Sequence, residues 1–398
     1  MSDNTNKSSI WYPAIAGFCV FFIGIGLCRF AYTPLITAII HQAWASQVGA
    51  AWLGTINFLG YLSGALLGIR STRYLNAPTT IKLSLVLSIV SLALSAIHWG
   101  FIWLAAWRFV AGITGAVLMV LTPSTILKKI DKPHRGRVAG IMFTGVGLGI
   151  VLAGLLFPHL VKWSVSIAWL SAALLSLIAT LIAWRAFSSA TEIPANSALI
   201  SERNKVVRPY VIYYLTIAYA LFAVGVVPHS LFLVDYVHRE LQFNLVVSGW
   251  FWSIFGIGAL VGPFLAGLLL DKIGSYKSLI VIFILACIGV PLLLFNKIAF
   301  LYVLSAFLAG ALFPGIATLM SARLLELVGP ECHAVRWGKM TLVFSIVQAL
   351  GSAMMSYLLH IGFTYTGCFL LGTVALIIST VLIILAKEKN IGVVACQP

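Results

Sequence analysis

Apolar runs of about 20 residues recur along almost the whole chain, separated by short charged or turn-rich breaks. Each run can cross a hydrocarbon layer of roughly 30 Å as a helix, because only a helix satisfies its own backbone there. Spans are expected at 11–38, 50–69, 81–97, 100–125, 138–160, 164–187, 209–233, 247–270, 278–295, 298–321, 338–359 and 363–386. At 61% hydrophobic and 9% charged, the 398 residues hold too little polar surface for a water-soluble body. The pattern predicts an all-α membrane protein of twelve transmembrane helices in two pseudo-symmetric six-helix bundles. Met1 to Ile10 is polar and leads straight into the first span, so no cleavable signal is expected.

A net charge of +15 raises nucleic acid as a partner, but that needs a basic face on a soluble domain, and none is legible here. Topology explains the charge instead. With the N-terminus inside, 20 Lys and Arg fall in cytoplasmic segments and only Lys162, Arg239 and Lys297 in outer loops. By the positive-inside rule both termini are cytoplasmic, in what is expected to be a bacterial inner membrane. The remaining two cations, Arg29 and Arg108, lie within spans. The six cysteines have no metal-ligand spacing and read as small packing residues, and no metal or other cofactor is expected.

Ser188 to Arg208 is the longest polar interruption and falls between spans six and seven, which divides the chain into bundles at 1–187 and 209–398 joined by a linker at 188–208. The halves echo each other. Ala111-Gly112 matches Ala309-Gly310, Gly140 matches Gly338 and Met142 matches Met340, all at an offset of 198, while Gly64-Ala-Leu-Leu matches Gly267-Leu-Leu-Leu at 203.

Gly267-Leu-Leu-Leu-Asp271-Lys272-Ile-Gly274-Ser-Tyr-Lys277 resembles the loop motif of the major facilitator superfamily, and the resemblance gives Asp271 and Lys272 a gating role. Its first-half counterpart has Gly68 where the Asp would stand. Arg108-Phe-Val-Ala-Gly112 is similar to the fourth-helix signature, with Ala111 replacing the usual Gln. Gly145-Val-Gly147-Leu-Gly149 resembles the Gly-rich fifth helix of antiporters, without the expected Pro. Together with Gly24-Ile-Gly26-Leu-Cys-Arg29-Phe30-Ala31-Tyr32-Thr33-Pro34 and Asn57-Phe-Leu-Gly60-Tyr61, these runs resemble the YbfB/YjiJ group of that superfamily.

An arginine in a bilayer core costs at least ~2.5–3.5 kcal/mol on insertion scales, so it should face a cavity or a partner. At about 1.5 Å per residue, Arg29 lies roughly 27 Å along span one and Arg108 roughly 12 Å into span four from its outer end, which gives comparable depths. The resemblance implies that helices one and four line a central cavity where the two could meet. No Asp or Glu occurs in a first-half span, so two cations there suit an anionic substrate. The competing roles are a gate, or permanent bonds to carbonyls or to Asp235.

Tyr32 and Trp107 neighbour the arginines and could pack on substrate or guanidinium. Asn57, Tyr61, Thr114 and Gln348 are further polar candidates inside spans, with interhelical bonding the better account of the two amides. Proton coupling needs a titrating group, and His229, Asp235, His238 and Glu240 gather at the outer end of span seven and its loop, His229 deepest. A solvated loop end is the plainer reading of that cluster. Trp44, Trp52, Trp99, Trp103, Trp163, Trp250 and Trp252 read as an interfacial belt.

The expected function is secondary active transport of a small organic anion by alternating access, open to proton coupling, by a monomer. A membrane enzyme would need a nucleophile or metal motif, and no H-E-x-x-H, paired intramembrane carboxylates or Ser motif is present. A non-transporting sensor or assembly factor on the same fold is the alternative.

Overall fold

The computed structural model describes residues 8–71, 75–127, 130, 135–187, 209–295 and 298–387. The expected linker at 188–208, and part of the first-half loop opposite Gly68, lie outside the described residues.

Twelve described helices are long and apolar enough to cross a membrane. They are α1 (Trp11–His41), α2 (Gln47–Gly68), α3 (Ala77–Leu94), α4 (Phe101–Leu127), α5 (Val138–Leu160), α6 (Val165–Phe187), α7 (Tyr210–Arg239), α8 (Leu245–Ile273), α9 (Ser275–Leu294), α10 (Ala299–Gly329), α11 (Arg336–His360) and α12 (Tyr365–Leu385). Helical bonding continues from α10 into α11, with Gly329 at φ 75° marking the division. α7 and α10 outrun the sequence reading most, reaching Arg239 and Gly329, while α1 reaches His41 and α8 Ile273. In α7 the reading stopped at polar residues whose side chains the fold satisfies inside the bundle.

The repeat is explicit in how helices cross. A Cβ on Gly60 or Gly64 of α2 would lie 2.2 or 2.3 Å from the carbonyl oxygens of Phe109 and Ile113 on α4. On α8, Gly258 and Gly262 meet those of Phe307 and Ala311 on α10 at 2.2 and 2.1 Å. In return Gly112 presses on the Asn57 carbonyl, and Gly310 on that of Phe255. Every member of one set lies 198 residues from its counterpart, so backbones touch at the same points in both halves. Gly64 therefore corresponds to Gly262, not to Gly267 as the 203-residue match had it.

α1 and α7 are broken at related places. α1 passes through a π turn at Phe22–Leu27 and a 3-10 stretch at Phe30–Leu35, and α7 through a π turn at Pro228–Phe232. Pro34 and Pro228 each remove a backbone donor, and Gly26 lets the α1 turn wedge against α5, where its Cβ would lie 2.9 Å from Gly149 Cα.

The bundle has a termini end and a far end. Towards the far end α5 and α8 touch closely: Ser253 donates to the Val151 carbonyl at 3.0 Å, and a Gly154 Cβ would lie 2.5 Å from the Gly249 carbonyl oxygen. Gly147 still meets Leu260. Gly140 and Gly267, on the same helix faces two turns nearer the termini end, have nothing within 4 Å of their Cβ positions. The seam thus opens towards the termini.

Trp99, Trp163 and Trp250 are exposed, as a belt requires, but Trp252 is fully buried and stacks on Phe255 at 4.8 Å. It belongs to the core because it projects from the α8 face that packs inward.

Candidate functional site

Breaking a helix frees carbonyls, and the break in α1 shows where they go. The Cys28 carbonyl accepts from Arg108 Nη1 at 3.0 Å and from Asn57 Nδ2 at 3.3 Å, and Asn57 Nδ2 also reaches the Arg108 carbonyl at 2.8 Å. The Arg108 guanidinium lies over the Tyr32 ring at 4.6 Å and the Trp169 ring at 5.6 Å, with only 1% of the residue exposed. Tyr32 is held in turn by its hydroxyl donating to the Ala50 carbonyl at 2.7 Å. Arg108 therefore braces α1 against α4 and α6 within the first half.

Arg29, the next residue after Cys28, points the other way. Its Nη2 donates to Gln348 Oε1 on α11 at 2.6 Å, a bond between halves. The rings of Phe58 and Tyr61 from α2, at 4.8 Å each, its neighbour Phe30 at 5.3 Å and Phe313 from α10 at 5.8 Å surround the guanidinium. Neither arginine has a carboxylate partner among the described residues. Arg29 Nε and Gln348 Nε2 are buried without a hydrogen-bond partner. The two guanidinium groups share no ring or hydrogen-bonding side chain, so the expectation that they meet in one cleft gives way to two separate settings. The positions 198 residues on are Val227 and Ala306, so both cations break the repeat.

From Arg29 towards the far end, further bonds join the halves. Thr33 donates to the Ser230 carbonyl at 2.7 Å, and Thr55 bonds Ser352 and Ser356 at 2.7 and 3.0 Å. Thr37 donates to Asp235 Oδ1 at 2.8 Å across an offset of 198, which places both residues beside the axis relating the halves. Asp235 also accepts from Arg239 Nε at 2.9 Å and from the Tyr365 hydroxyl, and it is fully buried. It is a helix residue inside the closed end, not part of a solvated loop, and it pairs with neither Arg29 nor Arg108. Arg29–Gln348 is the described interhalf bond nearest the opening.

The other sequence candidates are placed differently. Thr114 accepts from Ser88 at 2.9 Å and ties α3 to α4. Trp107 lies edge-on to Trp103 with Nε1 unpartnered, and is not against either guanidinium. His229 is enclosed by the second half, 3.1 Å from Ser305 and edge-on to Phe369. His238 contacts the Phe243 carbonyl, and Glu240 accepts from the Tyr365 amide and Thr366, capping α12. Asp271 and Lys272 are exposed at the end of α8, where Gly274 at φ 77° ends the helix.

Sequence reasoning missed the ring wall opposite Arg29. Tyr219 on α7 stacks on Phe344 at 4.5 Å and Trp337 at 5.5 Å, and Phe313 meets Phe344 edge-on at 6.4 Å. A signal existed: Trp337, Phe344, Gln348, Ser352 and Ser356 recur at helical spacing on one face of α11.

A family model described as "Uncharacterised MFS-type transporter YbfB" matches residues 21–384. The chain is 25% identical over 272 residues to an "Uncharacterized MFS-type transporter YceJ" of Bacillus subtilis (strain 168), covering 66% of this chain and 68% of that protein. In fold it is similar to a bacterial homologue of the human lysosomal transporter Spinster, in an inward-facing and unoccupied conformation, at TM-score 0.68 and 15% identity over 96% of both chains. It is also similar to a mutant of the nucleoside transporter NupG, at TM-score 0.73 and 12% identity over 94% of this chain and 100% of that one.

Proposed function

The chain belongs to the family of YbfB-type MFS transporters, and we propose that it carries a small organic anion across the bacterial inner membrane by alternating access. One observation carries the anion: Arg29 lies between the halves with no carboxylate partner among the described residues, while its Nε and Gln348 Nε2 still have donors to offer. A bound carboxylate would supply the missing acceptors, and charge-assisted bonds to arginine are the stronger kind. Rings around the guanidinium exclude water and strengthen that attraction.

The bias of 20 basic residues against 3 favours both termini in the cytoplasm, so the open seam faces inward. Rocking the halves about α5–α8 and α2–α11 would break the far-end bonds and close the inner side. If transport is proton-coupled, Asp235 is better placed than His229, because it bonds both halves.

The test is thermal stabilisation of purified protein by a panel of small organic anions, followed by proteoliposome flux with a pH gradient. Arg29→Ala should weaken the stabilising anion by roughly 10- to 150-fold, which corresponds to about 1.5–3 kcal/mol for bonds to a charged group. Undiminished stabilisation of Arg29→Ala by that anion would remove the site.

A further inference from the structure

The chemistry around Arg29 narrows the anion further, given that Arg29 is the cation that binds it. We infer that the substrate is a monoanion with a planar aromatic body, its carboxylate on Arg29 and its ring against the wall of Tyr219 and Phe344.

Charge is the first argument. Phosphates and dicarboxylates carry a second negative charge that is costly to bury without a second cation, and Arg108, the other intramembrane arginine, is committed elsewhere. Arg108 donates to the Cys28 carbonyl and lies beneath Tyr32 and Trp169. Arg323, the next cation on α10, pairs with Glu326 and lies over Tyr276 at the termini end. Of the two described arginines in the membrane interior, Arg29 alone is left to a ligand, and it matches one negative charge without leaving a second anion buried and unpaired.

Hydrogen bonding is the second argument. Besides Arg29 Nε and Gln348 Nε2, Thr341 Oγ1 is buried without a partner, two turns from Gln348 on the same α11 face. These are groups for the acceptor end of a ligand. Arg29 and Gln348 are 7% and 2% exposed, so donors left without a partner there are costly unless a ligand takes them.

Shape is the third. Beyond the guanidinium the neighbouring side chains form a run of rings. Tyr61 and Phe313 touch Arg29, Phe313 meets Phe344, and Phe344 stacks on Tyr219 with an interplanar angle of 29°. Such surfaces favour flat apolar bodies through offset or edge contacts.

The experiment compares 2-naphthoate, benzoate, acetate, succinate and inorganic phosphate as stabilisers of the purified full-length protein. The expected order is 2-naphthoate, then benzoate, then acetate, with succinate and phosphate inactive at the same concentration. Tyr219→Ala and Phe344→Ala should each weaken 2-naphthoate at least tenfold and leave acetate unchanged, while Tyr219→Phe keeps the wild-type order. Arg29-dependent stabilisation by succinate or phosphate matching that by 2-naphthoate would overturn the inference and leave the organic-anion site standing. Stabilisation by 2-naphthoate that survives Arg29→Ala would remove the site itself, and no response to any of the five probes would overturn the inference.

Discussion

Replacing Arg108 by Ala is expected to destabilise the purified protein by about 2–5 kcal/mol, although it removes a charge from the membrane interior. Truncation leaves a void against Tyr32 and Trp169 and takes one of two donors from the Cys28 carbonyl. The remaining donor, Asn57 at 3.3 Å, is the longer of the pair and is shared with the Arg108 carbonyl. Arg108→Met refills the volume without the donor, so it should recover part of the stability. Binding distinguishes bracing from packing. Arg29 directly follows Cys28, so a slackened turn misdirects its guanidinium, and both variants should lose affinity for the stabilising anion. Wild-type affinity in Arg108→Met would mean that α1 holds its break without this arginine.

What the sequence made legible, and what it did not, follows from the range of the forces involved. Apolar length alone marks twelve spans, because a helix in lipid satisfies its own backbone and depends little on its neighbours. The 198-residue repeat was visible at Gly112 and Gly310, where close crossing forbids a side chain, but Gly64 was matched to the wrong partner, since identical short runs carry no record of what they touch. Arg29 and Arg108 stood out as expensive charges. Depth along a helix was computable for each, yet direction was not, because the π turn at Phe22–Leu27 changes the angular register of α1 just before Arg29. Asp235 was read as a loop-end charge for a related reason. Its three donors come from α1, α7 and α12, and only the assembled bundle brings them together. Tyr219 and Phe344 escaped notice because aromatic residues occur in eleven of the twelve spans, and only their position near a cation sets these two apart.

Asp235→Ala should open the far end. The carboxylate is fully buried and accepts from Thr37 across the two halves, from Arg239 along its own helix and from Tyr365 on α12. Removing it takes the acceptor from three donors; the Arg239 side chain is 34% exposed and can turn to water, so the loss rests on the Thr37 and Tyr365 hydroxyls, at about 1–3 kcal/mol for each buried donor left unpaired. On the alternating-access reading, part of that cost falls on the closed arrangement, in which Thr37 meets Asp235. A share of about 1.4 kcal/mol shifts the balance between closed and open forms tenfold. Thr37→Val removes the interhalf bond and keeps the Arg239 and Tyr365 contacts, so it isolates that share. Leu231 reports the change: it is 3% exposed and packs against Gly54 of the opposite half. A cysteine at this position, in a background lacking the native cysteines, should react with a membrane-impermeant thiol reagent at least tenfold faster when Thr37→Val is added, and faster still with Asp235→Ala. Equal labelling in all three proteins would show that the apolar contacts of α2 and α7 hold the far end shut by themselves. Faster labelling with Asp235→Ala alone would place the effect inside the second half, at Tyr365 and Arg239, and the bond to Thr37 would then be a consequence of closure and not its cause.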